Sequence, residues 1–111
     1  MPRDPHIIRE QATEAEFQAA VVQSAKLRGW WAYHTHDSRR SEAGFPDLVL
    51  LRGVHGRGHR YGRCIVAELK VRGRQATPEQ RHVLWLFGQV PNIEVHHWTP
   101  RDWDAIERTL A

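Results

Sequence analysis

Two carboxylates and a lysine are the residues of this sequence best suited to chemistry. Asp47 follows Pro46 at the start of one apolar segment, and Glu68 and Lys70 end the next. Side chains alternate along a strand, so Glu68 and Lys70 would share one face of a sheet. Two close carboxylates need a shared proton or a cation, and oxygen ligands suit Mg²⁺ or Mn²⁺. The alternative is that Asp47 caps a turn and that Glu68 and Lys70 form a surface ion pair.

The two apolar segments flank a Gly- and Arg-rich connection, residues 53–62, and predict a β-hairpin. If the hairpin is symmetric and has no bulge, pairing Leu51 with Cys64 also pairs Asp47 with Glu68. Directly opposed residues have Cβ atoms about 4.5–5.5 Å apart, and like charges placed so are destabilising. The register therefore predicts that the two carboxylates meet at one end of the hairpin.

Length and composition predict one domain. We expect residues 1–12, which are polar and contain two prolines, to be a poorly fixed lead-in to a single domain over residues 13–111. The single cysteine excludes an internal disulfide and fits a reducing compartment. No apolar stretch is long enough to span a bilayer, and the first residues lack the apolar run of a signal peptide. These features predict a soluble, intracellular and cytoplasmic protein without a membrane partner.

Positive charge is concentrated around the candidate site. The formal net charge of the chain is +3, but residues 39–81 hold ten Lys or Arg against four acids, a net +6. Such a surface is expected of a protein that binds a polyanion, although a solvated basic surface without a partner is the alternative. Hydroxyl and guanidinium groups are common ligands of nucleic-acid phosphates. The candidate DNA contacts are Ser38, Arg39, Arg40, Ser41, Arg72 and Arg74.

The first helix is predicted by a capping box. Thr13 has the character of an N-cap and Glu16 stands three residues later, ahead of apolar residues at helical spacing, which predicts a helix over about 14–28. Glu16 has two interpretations from the residues alone: a capping residue, or a third acid at the site.

A pair of histidines invites a zinc interpretation. His34 and His36 would lie on one face of a first strand over residues 30–36. Zinc sites use three or four protein ligands at recognisable spacing, and the other histidines are scattered through other elements. A histidine-based metal site is therefore the weaker alternative.

The rest of the chain predicts a second helix, a strand and a last helix. A second capping box over residues 77–80 begins a helix that we expect to be largely buried and to end at Gly88. Residues 93–98 alternate as a strand, and residues 99–102 start the last helix. This order of helix, three strands, helix, strand and helix predicts an α/β fold, with a mixed sheet flanked by helices.

Pro46-Asp47 and Glu68-Leu69-Lys70, in this order of elements, resemble the signature of the PD-(D/E)xK nuclease superfamily, whose core is αβββαβ. The resemblance narrows further to its VRR-NUC family, the virus-type replication-repair nucleases. The features that narrow the resemblance are Glu16, Gly44-Phe45-Pro46-Asp47 and Thr77-Pro78-Glu79-Gln80. The resemblance covers about residues 13–98, and the last helix is an addition to that core.

The resemblance implies metal-dependent hydrolysis of phosphodiester bonds. Asp47, Glu68 and the backbone carbonyl of Leu69 would bind Mg²⁺ or Mn²⁺, with Lys70 near the attacking water. Glu16 would be a further acid, and Gln80 would lie beside the same cluster.

Stand-alone members of the family resemble phage or bacterial proteins, some of them similar to dimeric Holliday-junction resolvases. The resemblance thus implies a homodimeric DNA endonuclease for branched DNA, at work in DNA repair in a bacterial or phage-infected cell. The alternative is a non-catalytic DNA-binding module with the same fold.

Overall fold

The helices and strands follow one another in the order that the sequence predicts. The structure, a computed structural model, describes residues 11–36, 40–54 and 61–111. The elements are α1 (Glu14–Leu27), β1 (Trp31–His34), β2 (Leu48–Val54), β3 (Tyr61–Leu69), α2 (Pro78–Gly88), β4 (Ile93–Trp98) and α3 (Trp103–Leu110). A single 3₁₀ turn, Pro100–Asp102, leads into α3, so the last helix starts later than predicted.

Both predicted capping boxes are present. At the start of α1 the Thr13 N–H donates to Glu16 Oε1 (2.9 Å), and the Glu16 N–H donates to Thr13 Oγ1 (3.1 Å). At the start of α2 the same exchange joins Thr77 and Gln80, at 2.8 and 3.1 Å. Each box satisfies two of the N–H groups that the first helical turn leaves without a partner.

The four strands form one mixed sheet in the order β1-β2-β3-β4. The first three are antiparallel, and β4 lies parallel to β3 after the crossover through α2. Leu51 pairs with Cys64, the register predicted for the hairpin. β1 is shorter than the strand predicted over residues 30–36, because its pairing with β2 ends at His34 and Leu48. There the N–H and the hydroxyl of Thr35 donate to the carbonyls of Asp47 and Pro46, at 3.0 Å each.

The helices lie on both faces of the sheet. α1 and α3 contact each other on one face and enclose the main core with alternate strand residues such as Leu50 and Ile65. α2 packs on β3 and β4, where Val66 is buried on the opposite face. Within the part of the chain that the structure describes, no helix combines the length and apolarity needed to cross a membrane.

The prediction that α2 is largely buried is wrong. No residue of α2 is fully buried, and Trp85 and Leu86 are 59% and 46% exposed. The physical reason is that the apolar residues of α2 occupy more than one side of the helix. Val83 and Phe87 are half-buried, whereas Trp85 and Leu86 point elsewhere. An apolar run of this kind predicts a helix but not how much of it the fold covers.

Candidate active site

The hairpin register brings Asp47 and Glu68 together. The last ladder pair of the two strands is Leu48 with Ala67, so Asp47 and Glu68 are the next residues on the two strands. The Leu69 N–H donates to Asp47 Oδ2 (2.8 Å), which ties the Asp47 carboxylate to the end of β3. The fold therefore places the two acids next to each other, as the hairpin register predicts.

The loop before Asp47 is held from two sides. The end of β1 donates to the carbonyls of Pro46 and Asp47 through Thr35. On the other side Gly44 has a φ of +90°, and a Cβ there would run into the backbone carbonyl of Glu79 in the first turn of α2. Only glycine meets both conditions without strain. These contacts on both sides of residues 44–47 therefore fix the position of the Asp47 carboxylate.

Glu68 is an unusual carboxyl group. Its side chain is 0% exposed, and neither carboxylate oxygen has a hydrogen-bond donor among the described residues. Burial, together with the negative charge of the adjacent Asp47 carboxylate, raises the pKa of Glu68 to about 9. Without a cation, the pair therefore keeps a proton at neutral pH.

Two further charged groups, Lys70 and Glu14, act on the Glu68 carboxyl. The Lys70 ammonium lowers the pKa of Glu68, and the negative charge of Glu14 raises it. Glu14 is half-buried in the first turn of α1. The sequence reasoning did not select it. It lies three and seven residues before the buried Phe17 and Val21, so helical spacing places it on the inward side of α1.

Glu16 and Gln80, the other two candidate catalytic residues, lie in capping boxes. The structure places the Oε1 atoms of Glu16 and Gln80 on the backbone N–H groups of Thr13 and Thr77. For Glu16 this is the capping interpretation, and Glu14 is the α1 carboxylate whose charge acts on Glu68. Catalytic roles for Glu16 and Gln80 stay predictions.

The candidate DNA contacts lie partly outside the described residues. Ser38 and Arg39 fall there, as do residues 1–10 of the expected lead-in. Arg40, Arg72 and Arg74 are exposed, and Ser41 is half-buried. One guanidinium N–H of Arg72 donates to the Gln11 carbonyl (2.9 Å), which attaches the chain before α1 to the segment after Lys70.

The donor set fits a hard divalent cation. Among residues 11–36, 40–54 and 61–111, no three His, Cys, Asp or Glu side chains gather closely enough to hold a metal ion on their own. Mg²⁺ is commonly bound through one or two carboxylates with the remaining positions taken by water or substrate phosphate. Two adjacent carboxyls match that requirement, and both oxygens of one of them are buried and have no donor in the described part of the chain.

The histidine pair does not extend into a zinc site within the described residues. The rings of His34 and His36 lie 4.1 Å apart, which agrees with their predicted position on one side of the chain. Nδ1 of His34 is 3.2 Å from the Gln18 amide nitrogen, and no third ligand joins the pair in the described part of the chain.

Comparison of the chain with protein-family models, curated proteins and solved structures finds no match in any of the three.

Proposed function

We propose that this protein is a metal-dependent DNA endonuclease similar to the VRR-NUC branch of the PD-(D/E)xK nucleases. The observation that carries the proposal is the buried Glu68 carboxyl, which has no hydrogen-bond donor among the described residues and lies adjacent to Asp47 at the shared end of two strands. A carboxyl group in that environment costs folding free energy unless a proton or a cation occupies it. A cation held between the two carboxyls would remove that cost.

The roles of the residues follow from their charges and positions. A bound Mg²⁺ or Mn²⁺ would supply Lewis acidity toward a phosphate oxygen and a water. Asp47, oriented by the Leu69 N–H, and Glu68 would hold the ion, with the Leu69 carbonyl as the proposed third protein ligand. Lys70, whose ammonium acts on Glu68, would stabilise the negative charge that develops on the phosphate during attack by water.

The proposed substrate is DNA, and branched DNA in particular. Exposed guanidinium groups at Arg40, Arg72 and Arg74 lie before and after the two acids in the chain and would contact backbone phosphates. Contacts of this kind orient a duplex without reading its sequence. A homodimer would place two such sites on one symmetric junction.

The test is cleavage of duplex, flap, splayed and four-way DNA with Mg²⁺ or Mn²⁺, alongside calorimetric titration of Mn²⁺ into the protein. We expect Asp47→Asn and Glu68→Gln to lower the cleavage rate about 100-fold or more and to weaken Mn²⁺ binding. Lys70→Met should lower cleavage while Mn²⁺ binding persists, because the ammonium is not a ligand.

Matched variants in α1 separate capping from chemistry. Glu16→Gln removes a charge but keeps the capping box, so we expect nearly unchanged cleavage. Glu14→Gln removes the inward charge, and we expect weaker Mn²⁺ binding. Cleavage that is unchanged in Asp47→Asn and Glu68→Gln would refute the site. DNA binding by the parent protein without any cleavage would favour the non-catalytic module.

A further inference from the structure

Two exposed aromatic rings lie on the sheet face that bears the carboxyl pair. Tyr33 of β1 pairs with Val49 of β2, and Asp47 precedes Val49 by two residues, so Tyr33 and Asp47 point to one face. Tyr33 is 42% exposed, and Trp31, two residues earlier in β1 and on the same face, is 60% exposed. α2 packs on β3 and β4, whereas these rings belong to β1, at the other edge of the sheet. We refer to Trp31 and Tyr33 as the aromatic strip.

The aromatic strip begins close to the carboxyl pair. Asp47 is the diagonal neighbour of Tyr33 across the two strands, and such neighbours lie about 7–8 Å apart. The Thr35 N–H donates to the Asp47 carbonyl (3.0 Å), which holds the end of β1 against the residue that bears the carboxylate. Trp31 lies about 7 Å from Tyr33 along β1. Asp47, Tyr33 and Trp31 therefore follow one another across one face at similar steps.

Exposed rings on a sheet suit unpaired nucleobases. Bases stack on Trp and Tyr regardless of sequence, because every base has a π-face, and sheets that bind single strands present aromatic residues in this way. Two rings one step apart on a strand would each take one of two successive bases. The bases of an intact duplex are already stacked on one another, so their faces are not available to the rings.

The charges beside the strip suit the phosphates of the same strand. Lys70 lies at the carboxyl pair, where its ammonium acts on Glu68, and residues 39–81 have a net charge of +6. A strand with one phosphate at Asp47 and Glu68 would lay its neighbouring bases on the aromatic strip. The strip supplies stacking and the basic groups supply attraction to the backbone, the combination by which proteins bind single strands.

We propose that Trp31 and Tyr33 bind two unpaired nucleotides of the DNA strand next to the phosphate held at Asp47 and Glu68. The inference rests on the proposed nuclease function and deepens it, because it names an unpaired segment as the feature recognised beside the cut. Flap and splayed DNA contain such a segment where their strands separate. We therefore expect them to be cut faster than a fully paired four-way junction or a duplex.

Binding of a fluorescently labelled oligothymidine, followed by anisotropy with a chelator present, tests the strip without any cleavage. We expect the parent to bind this single strand more tightly than a duplex of the same length. Trp31→Ala and Tyr33→Ala should each weaken single-strand binding about 5- to 100-fold, the effect of one lost stacked base. Tyr33→Phe keeps a ring and should bind as the parent does.

Trp85→Ala is the matched control. Trp85 is 59% exposed, close to the value for Trp31, but it lies on α2 between the half-buried Val83 and Phe87 and points elsewhere. Its removal should leave single-strand binding unchanged. Circular dichroism checks that each variant is folded, and Trp31→Leu or Tyr33→Leu, which keep apolar bulk without a π-face, replace an alanine variant that is not.

Salt dependence separates stacking from charge. Stacking releases no counterions, so Trp31→Ala should weaken binding without changing the slope of log affinity against log salt. Arg74→Met, which removes an exposed cation, should reduce that slope by about 0.7 if it contacts one phosphate of the single strand. A slope that falls in Trp31→Ala would contradict stacking as the role of this ring.

Three results would overturn the aromatic strip. They are equal affinity of the parent for single-stranded and duplex DNA, single-strand binding that survives both ring deletions, and an equal loss in Trp85→Ala. The nuclease proposal is measured apart from these: Asp47→Asn should lose cleavage and still bind oligothymidine. A parent that binds single strands through the strip and cuts nothing would support the strip and refute the nuclease. A parent that cuts DNA without preferring unpaired segments would refute the strip alone.

Discussion

Replacement of Glu68 by Gln should change how stability depends on pH. The pKa of Glu68 is raised from 4.5 to about 9, first by burial and then by the Asp47 carboxyl. Between these values the folded state holds a proton that the unfolded state has released, so the free energy of unfolding falls as pH rises. One pKa unit corresponds to about 1.4 kcal/mol, so Glu68 should cost the metal-free protein about 3 kcal/mol at pH 7.

The assay is urea unfolding of the parent and of Glu68→Gln with a chelator present, at several values from pH 5 to 8. The amide cannot titrate. We therefore expect the stability of the variant relative to the parent to rise by about 1.4 kcal/mol per pH unit. Mg²⁺ at a concentration that saturates the parent should stabilise the parent increasingly as pH rises, because the cation replaces the proton on the carboxyl pair. The same Mg²⁺ should leave the free energy of unfolding of Glu68→Gln unchanged. A stability difference that stays flat across this interval would refute the buried-carboxyl reasoning.

Three further substitutions test how the site and the core are held. Gly44→Ala should lower the free energy of unfolding by about 1–3 kcal/mol, because a Cβ at positive φ strains the loop before Asp47. Cleavage, measured on the same preparation, should fall as well. Unchanged stability and unchanged cleavage would contradict this. Thr77→Ala should cost about 1 kcal/mol in urea unfolding through the lost cap of α2, with Thr77→Ser as the control. Glu94→Gln should cost at most about 1 kcal/mol near neutral pH because its pair with Arg63 is partly exposed. Arg63 lowers the pKa of Glu94, so the contribution of the pair is lost as pH falls below 4.5, and a cost that persists in acid would contradict it.

Local chemistry explains what could be predicted from the sequence. The capping boxes at Thr13 and Thr77 depend only on residues three positions apart, and both are present. The hairpin register followed from two apolar segments of similar length around one connection, and the pairing of Leu51 with Cys64 confirms it. From that register alone, the meeting of Asp47 and Glu68 followed.

Other features depend on contacts distant in the chain. The α1 acid near Glu68 is Glu14, and choosing it over Glu16 required knowing which side of α1 is buried. The apolar residues at helical spacing in α1, among them Phe17 and Val21, indicate which side of the helix is buried, and Glu14 lies on that side. The exposure of α2 could not be predicted, because apolar content does not reveal whether the same chain supplies a covering surface.

The contact between Gly44 and Glu79 makes α2 part of the machinery that positions Asp47. The backbone of Glu79 rests against Gly44, three residues before Asp47. A shift of the first turn of α2 toward Gly44 would therefore displace that loop. A ligand bound to the exposed side of α2 would thus restrict the positions open to the Asp47 carboxylate. Binding of that ligand would change the affinity of Asp47 and Glu68 for a cation.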